Sequence, residues 1–107
     1  GCKWYTFRLN EGYYLINIYT RKQVKFIKSE RDEENNSIIN LFFELKEKDE
    51  TIKIISPIIR KYYNRNAINN LKSYFEDVER GSEFCCKIVG IDKRNRAYIG
   101  VVIPDWV

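Results

Sequence analysis

Residues 64–81 read NRNAINNLKSYFEDVERG, and this stretch decides the fold because it is the clearest helix in a strand-rich sequence. Asn64 or Asn66 can cap its start. Apolar residues then recur at helical spacing, at Ala67, Ile68, Leu71, Tyr74, Phe75 and Val78. Gly81 follows Arg80 and is predicted to end the helix. One side of this helix is expected to pack on a sheet.

Strand patterns lie on both sides of the helix. After it, residues 83–91 and 96–103 are rich in Ile and Val, and the turn Asp92-Lys93-Arg94-Asn95 between them predicts a hairpin. Before it, residues 38–45 and 51–59 alternate apolar with polar positions across a short polar connection. Pro57 predicts that the second of these strands leaves the sheet, or lies on its edge, near that residue.

The first part of the chain also predicts strands. Residues 2–9 form an aromatic strand, Asn10-Glu11-Gly12 a turn, and residues 13–19 a second strand. Alternation resumes at residues 24–28, either as a new strand or as the bent continuation of the last one. Residues 29–37 carry no apolar side chain and predict a solvated loop.

The order of elements predicts an α+β fold, mostly antiparallel β with one helix. If residues 13–28 form one strand, the order β-β-β-α-β-β matches an OB-like five-stranded barrel, with an extra strand in front. An open twisted sheet packed on the helix would give the same linear pattern. With 107 residues, the chain is predicted to form a single domain, 1–107.

Composition excludes several classes of protein. Hydrophobic residues make up 44% of the chain, too many for a disordered region, yet no apolar run is long enough to span a bilayer. Cys2, Cys85 and Cys86 form an odd set with no metal-ligand spacing, which favours reduced thiols and a cytoplasmic protein. Because Gly1 and Cys2 open the sequence without Met, we expect a trimmed or replaced start, with a lipoprotein origin through Cys2 as the alternative.

The residues give little basis for catalysis. The chain has no His, and no phosphate-binding glycine motif occurs. Carboxylates at Glu44, Glu47, Asp49 and Glu50 alternate with lysines and are interpreted as a solvated hairpin end, so no metal and no cofactor are predicted. We therefore expect a protein that is not an enzyme. A nuclease without His, using Arg94, Arg96 and Tyr98, is the catalytic alternative.

The arrangement of charge and aromatic residues predicts a binding function. The net charge is +4, and basic residues cluster beside tyrosines, most densely at Arg60-Lys61-Tyr62-Tyr63-Asn64-Arg65. Single-stranded DNA or RNA is bound by such basic grooves with aromatic stacking platforms. We expect phosphate contacts from Arg60, Lys61, Arg65, Lys93, Arg94 and Arg96. We expect base stacking on Tyr13, Tyr19, Tyr63 and Tyr98.

Simpler interpretations exist for each feature. Tyr62 and Tyr63 can pack under the start of the helix, and the turn at 93–96 can be an ordinary charged hairpin. The acidic run at 30–34 would repel phosphates if it bordered the groove. The alternative function is therefore a small protein-binding inhibitor or adaptor, of an immunity or anti-defence type, that acts by steric block. Its candidate anchors are Trp4, Tyr19 and Trp106.

Overall fold

A computed structural model describes residues 4–9, 12–17, 20–47 and 50–103. Within these residues the strands and the helix follow the order β-β-β-β-β-α-β-β. Their bounds are β1 (Trp4–Leu9), β2 (Gly12–Asn17), β3 (Arg21–Arg31), β4 (Ile38–Glu47), β5 (Glu50–Pro57), α1 (Arg65–Tyr74), β6 (Glu83–Asp92) and β7 (Ala97–Val102).

Strands β3 to β7 form a closed barrel in the order β3-β4-β5-β7-β6, and β6 pairs back onto β3. Neighbouring strands are antiparallel except β5 and β7, which run parallel through the pairs Ile54↔Tyr98 and Ile55↔Ile99. The helix lies between the third and fourth barrel strands in sequence, as in an OB-like fold. Of the two architectures that the sequence left open, the structure is the closed barrel.

Strands β1 and β2 form a separate two-stranded antiparallel sheet, with a register that runs from Trp4↔Asn17 to Leu9↔Gly12. The predicted hairpin at the start of the chain is therefore confirmed. The structure also divides residues 13–28, which could have been one bent strand, because β2 ends at Asn17 and β3 begins at Arg21. The barrel thus begins with β3, which continues to Arg31 and shortens the predicted solvated loop.

The core of the barrel is aromatic and aliphatic. Rings from β3, β4 and the residue after α1 meet in its centre, with centroids 5.7 Å apart for Phe26 and Phe43 and 5.2 Å apart for Phe26 and Phe75. Phe84 of β6 packs on the same group, 5.0 Å from Phe75. Leu71 is the buried residue of α1 itself. This contact with the barrel, more than helix propensity, holds the ten-residue helix in place.

The helix begins as predicted and ends earlier. The Asn64 side chain accepts a hydrogen bond from the Ala67 backbone N–H at 2.8 Å. The prediction that Gly81 ends the helix is wrong, because Tyr74 is its last residue. The chain then turns back to β3, where Gly81 N–H donates to the Phe26 carbonyl at 2.8 Å. Gly81 has a φ of +94°, a backbone conformation that glycine adopts without steric cost. The glycine is therefore required by this turn and not by the helix end.

Polar contacts join the helix to the loop between β3 and β4. The Lys72 ammonium donates to the Ser37 hydroxyl at 2.8 Å. Arg31, the last residue of β3, donates to both carboxylate oxygens of Glu76, at 3.0 and 2.6 Å, and to the Asn36 carbonyl at 2.9 Å. The loop at residues 32–37 is therefore fastened beside α1.

Candidate nucleic-acid interface

The outer face of the barrel carries a stripe of apolar side chains. Phe43, Ile54 and Tyr98 are buried inside the barrel, so their neighbours along each strand point outward. The register places these outward residues side by side, because Phe42 of β4 pairs with Ile55 of β5 and Ile55 pairs with Ile99 of β7. This stripe crosses the β4–β5 face, which is the ligand-binding face of OB-folds.

Phe42 is the aromatic residue of the stripe, and its ring is half-buried. The Lys28 ammonium lies 5.2 Å from the ring centroid, within the range of a cation–π contact. A β-bulge makes this contact possible. The register shifts between Phe26 and Lys28, so Lys28 pairs with Phe42 and not with the inward-facing Leu41. The irregularity at Ile27 therefore turns a lysine toward the only aromatic ring in the stripe.

Two depressions lie beside Phe42, and we call them together the groove. The Ile27 depression, of about 310 Å³, is lined by Ile27, Lys28, Phe42, Phe43, Glu44, Thr51 and Lys53. The Glu30 depression, of about 220 Å³, is lined by Glu30, Asn40, Phe42, Lys53, Ile55, Pro57, Asp92 and Asn95. Phe42 and Lys53 border both depressions. The Ile27 depression therefore contains two exposed lysines, Lys28 and Lys53, and the Glu30 depression contains Lys53.

The turn between β6 and β7 borders the groove. Asp92 and Asn95 line the Glu30 depression, and Lys93, Arg94 and Arg96 are exposed on the same turn. The turn is held by Asp92, which accepts hydrogen bonds from the side-chain amide of Asn95 at 2.8 Å and from its backbone N–H at 3.2 Å. The hydrogen bond from the Asn95 side chain is the main reason that the pKa of Asp92 is lowered.

The second predicted basic cluster lies elsewhere on the chain. Arg60 and Lys61 are exposed in the connection from β5 to α1, and Arg65 is the exposed first residue of α1. The Lys61 ammonium lies 5.5 Å from the ring centroid of Tyr62. The residues that line the groove come from β3, β4, β5, the end of β6 and the β6–β7 turn, so these three basic residues are not part of its lining.

Two of the predicted stacking tyrosines are inside the barrel. Tyr98 has no exposed surface and Tyr63 has 6% of its surface exposed, so neither ring can stack on a base. This part of the prediction is corrected, and Tyr98 is equally inaccessible for the nuclease alternative. The Tyr63 hydroxyl bonds to the Ser56 hydroxyl and accepts from the Val102 N–H at 2.8 Å. Burial raises the pKa of Tyr63 to about 12.

The remaining aromatic candidates belong to the first and last parts of the chain. Tyr13 lies in β2, where it pairs with Arg8, and Trp4 lies in β1, where it pairs with Asn17. Tyr19 and Trp106 lie outside the described residues, as does Cys2. The structure therefore removes Tyr63 and Tyr98 as stacking platforms, and it places Phe42 between the two depressions.

The sequence contains the signal for Phe42, although it was not recognised. The alternation in residues 38–45 puts Phe43 and Leu45 on the inner face and Asn40 and Glu44 on the outer one. Phe42 falls among the polar positions, and a large apolar residue on a solvated face is more informative than a buried one. Lys28 could not have been assigned in this way, because its direction depends on the bulge at Ile27.

The charge around the groove is mixed. One cross-strand row alternates in sign, since Glu83 pairs with Lys25, Lys25 with Glu44, and Glu44 with Lys53. Glu30, which pairs with Asn40 on the other side of the Phe42 row, accepts a hydrogen bond from the Asn40 side-chain amide at 2.6 Å. The acidic run at 30–34 is therefore split between the groove and the loop. Glu30 lines the groove, whereas the loop that follows is fastened beside α1.

Metal ligands and thiols are the other chemical groups considered in the described part of the chain. Among these residues, no group of three or more His, Cys, Asp or Glu side chains could hold a metal ion. Cys86 is buried, and burial raises the pKa of its thiol to about 12, while Cys85 is half-buried. No helix in this part of the chain is long and apolar enough to cross a membrane.

Comparisons with known proteins do not assign this chain to a family. No protein-family model matches the chain, and neither the curated proteins nor the solved structures give a match.

Proposed function

We propose that this domain binds single-stranded nucleic acid in the groove on its β4–β5 face, and that it acts by binding without catalysing a reaction. One observation carries the proposal: a half-buried Phe42 ring lies in the centre of this face with the Lys28 ammonium 5.2 Å from its centroid. A base stacks on such a ring, and neighbouring lysines neutralise the phosphates on either side of it.

The basic turn extends this groove. Lys53 borders both depressions, and Lys93, Arg94 and Arg96 are exposed on the turn that closes the Glu30 depression. Phosphates contribute affinity without sequence preference, and each contact makes binding more sensitive to salt. Arg94→Ala is therefore expected to weaken binding of all sequences about equally.

Fluorescence anisotropy with short labelled single-stranded DNA and RNA, at low and moderate salt, tests the proposal. Phe42→Ala should weaken binding about 5- to 150-fold, since stacking contributes about 1–3 kcal/mol per base. Lys53→Ala should reduce the slope of log affinity against log salt by about 0.7, the value for one phosphate on a single strand. Phe42→Tyr keeps the ring and should bind as the wild type does.

Matched controls separate the groove from the rest of the surface. Tyr74 is 42% exposed beside the end of α1, away from the groove-lining residues, so Tyr74→Leu should leave the affinity unchanged. Arg80→Ala serves the same purpose for the basic residues. Equal loss in Tyr74→Leu and Phe42→Ala would exclude Phe42 as the stacking platform.

A protein partner is the second candidate function, and the alternating row from Glu83 to Lys53 favours it. A phosphodiester chain gains nothing from the carboxylates of this row, whereas a protein surface can match both signs. The same titration separates the two candidates. If neither DNA nor RNA binds at low salt, where electrostatic attraction is strongest, a protein partner becomes the leading function.

A further inference from the structure

The Glu30 depression combines three kinds of group beside one aromatic ring. Phe42 and Ile55 supply apolar surface, Lys53 a cation, and Glu30 a carboxylate. Carboxylates repel phosphates, so Glu30 opposes the general affinity of a groove for nucleic acid. Its position beside the stacking ring therefore needs a different explanation, which the edge of a stacked base can provide.

Among the standard bases, guanine complements a carboxylate best, because cytosine and adenine each offer it only one amino group. Its Watson–Crick edge presents two adjacent donors, N1–H and the N2 amino group, and an ionised carboxylate can accept from both. Uracil and thymine present carbonyl acceptors on each side of one N–H, so the same carboxylate would meet lone pairs. Guanine also carries the O6 and N7 acceptors that a lysine ammonium recognises, and Lys53 lines the same depression.

Of the two carboxylates in the depression, Glu30 is the one with free capacity to accept hydrogen bonds from a base. Asp92 uses both of its oxygens to hold the β6–β7 turn, through the backbone and side-chain N–H groups of Asn95. Glu30 accepts from the Asn40 amide through Oε1 at 2.6 Å, which orients its carboxylate. Because a carboxylate has about four lone-pair positions, this one hydrogen bond leaves Glu30 the capacity to accept from a base.

We propose that the Glu30 depression recognises guanine within a single strand, with the base stacked on Phe42 and its N1–H and N2 amino group donating to the Glu30 carboxylate. This inference rests on the proposed nucleic-acid function, and it adds a base preference to a groove that would otherwise bind all sequences alike.

The experiment compares a short labelled oligouridine with the same strand carrying one central guanosine, and oligothymidine with one central deoxyguanosine. For both RNA and DNA, the strand with one guanine should bind about 10-fold more tightly than the strand without it. This difference lies within the range for one bidentate contact. Glu30→Gln should abolish this preference, because an amide replaces one acceptor with a donor. The same variant should bind oligouridine at least as tightly as the wild type does, since a charge that repels phosphates is removed.

Glu33→Gln is the charge-matched control. Glu33 is exposed on the neighbouring loop, so its loss should shift both strands of a pair equally and keep the preference. Equal binding of the paired strands by the wild type, or a preference that survives in Glu30→Gln, would overturn guanine recognition and leave the nucleic-acid function standing. Absence of binding to every strand at low salt would instead overturn the function itself, and this inference with it.

Discussion

Tyr63 lies at the junction of three parts of the barrel. It precedes α1, its hydroxyl bonds to Ser56 of β5, and the same hydroxyl accepts from the Val102 N–H of β7. Ser56 has no exposed surface, so neither partner can replace the bond with solvent. Tyr63, which the sequence predicts as a stacking platform, is thus a buried residue whose hydroxyl links β5 to β7.

Tyr63→Phe should lower the free energy of unfolding by about 1–3 kcal/mol, because it leaves the buried Val102 N–H and Ser56 hydroxyl without this partner. Urea unfolding followed by far-UV circular dichroism measures the change. Tyr62→Phe is the matched control, since Tyr62 is half-buried and keeps its ring beside Lys61. A Tyr63→Phe variant as stable as Tyr62→Phe would mean that the hydroxyl contributes nothing.

Tyr63 and Phe42 show which features of the site could be predicted at this scale. The exposed bases at Lys93, Arg94 and Arg96 follow from a charged hairpin turn, which local sequence specifies well. Whether an aromatic ring is buried depends on partners distant in the chain, such as Val102 for Tyr63, and local composition does not report them. Tyr63 and Tyr98 are buried, whereas Phe42, which the sequence analysis did not select, lies half-buried on the outer face.

The segment that follows α1 is joined to the end of β3 by the ion pair of Arg31 and Glu76, at 2.6 Å. The hydrogen bond from Arg31 lowers the pKa of Glu76 from its ordinary value of 4.5. A lowered carboxyl pKa means that the ion pair stabilises the fold above about pH 4.5. This contribution is lost as the pH falls through the lowered pKa. Both side chains are partly exposed, so the effect is a small one.

Glu76→Gln should therefore be slightly less stable than the wild type at neutral pH, and the difference should disappear in acid. Urea midpoints of both proteins at neutral pH and below the pKa of Glu76 provide the comparison. Glu79→Gln, a change of the same charge in the exposed segment after α1, should show a smaller dependence on pH. A Glu76→Gln deficit of equal size at both values of pH would rule out the ion pair as its cause.

At the scale of elements, the sequence predicted every strand of the barrel and the start of the helix, because alternation and capping are local patterns. It did not predict the end of α1 at Tyr74. The segment after Tyr74 is set by tertiary contacts, with Phe75 in the aromatic core and Gly81 bonded to the Phe26 carbonyl. It also could not separate β2 from β3, since both strands alternate and residues 18–23 carry no turn signal strong enough to decide.

For the molecule as a whole, closure of the barrel depends on β7. This strand pairs with β6 along its whole length and with β5 through two parallel pairs, so it links β5 to β6. Local sequence could not choose between a closed barrel and an open sheet, because the β5–β7 pairing links residues more than forty positions apart. Such contacts are specified by how side chains fit inside the barrel.

Among Gly81, Gly90 and Gly100, Gly100 leaves the least room for a side chain. A Cβ at this position would lie 2.8 Å from Ile54 Cγ2 and 3.3 Å from Cys86 Cβ, which are the neighbours contributed by β5 and β6. Gly100→Ala would therefore push apart the strands that β7 joins. We expect it to lower the free energy of unfolding by about 1–3 kcal/mol, the usual cost of overpacking a core.

Gly90→Ala provides the matched control, because the nearest atom to a Cβ there is Ile99 Cδ1 at an ordinary 3.8 Å. Gly90→Ala should leave the free energy of unfolding nearly unchanged. Comparing urea unfolding of the two variants therefore separates the effect of crowding between β5 and β6 from the effect of replacing a glycine. If closure through β7 holds the barrel together as one cooperative unit, Gly100→Ala should lower the urea midpoint and leave the slope of the transition unchanged. A reduced slope would show instead that β7 separates from the barrel before the rest unfolds.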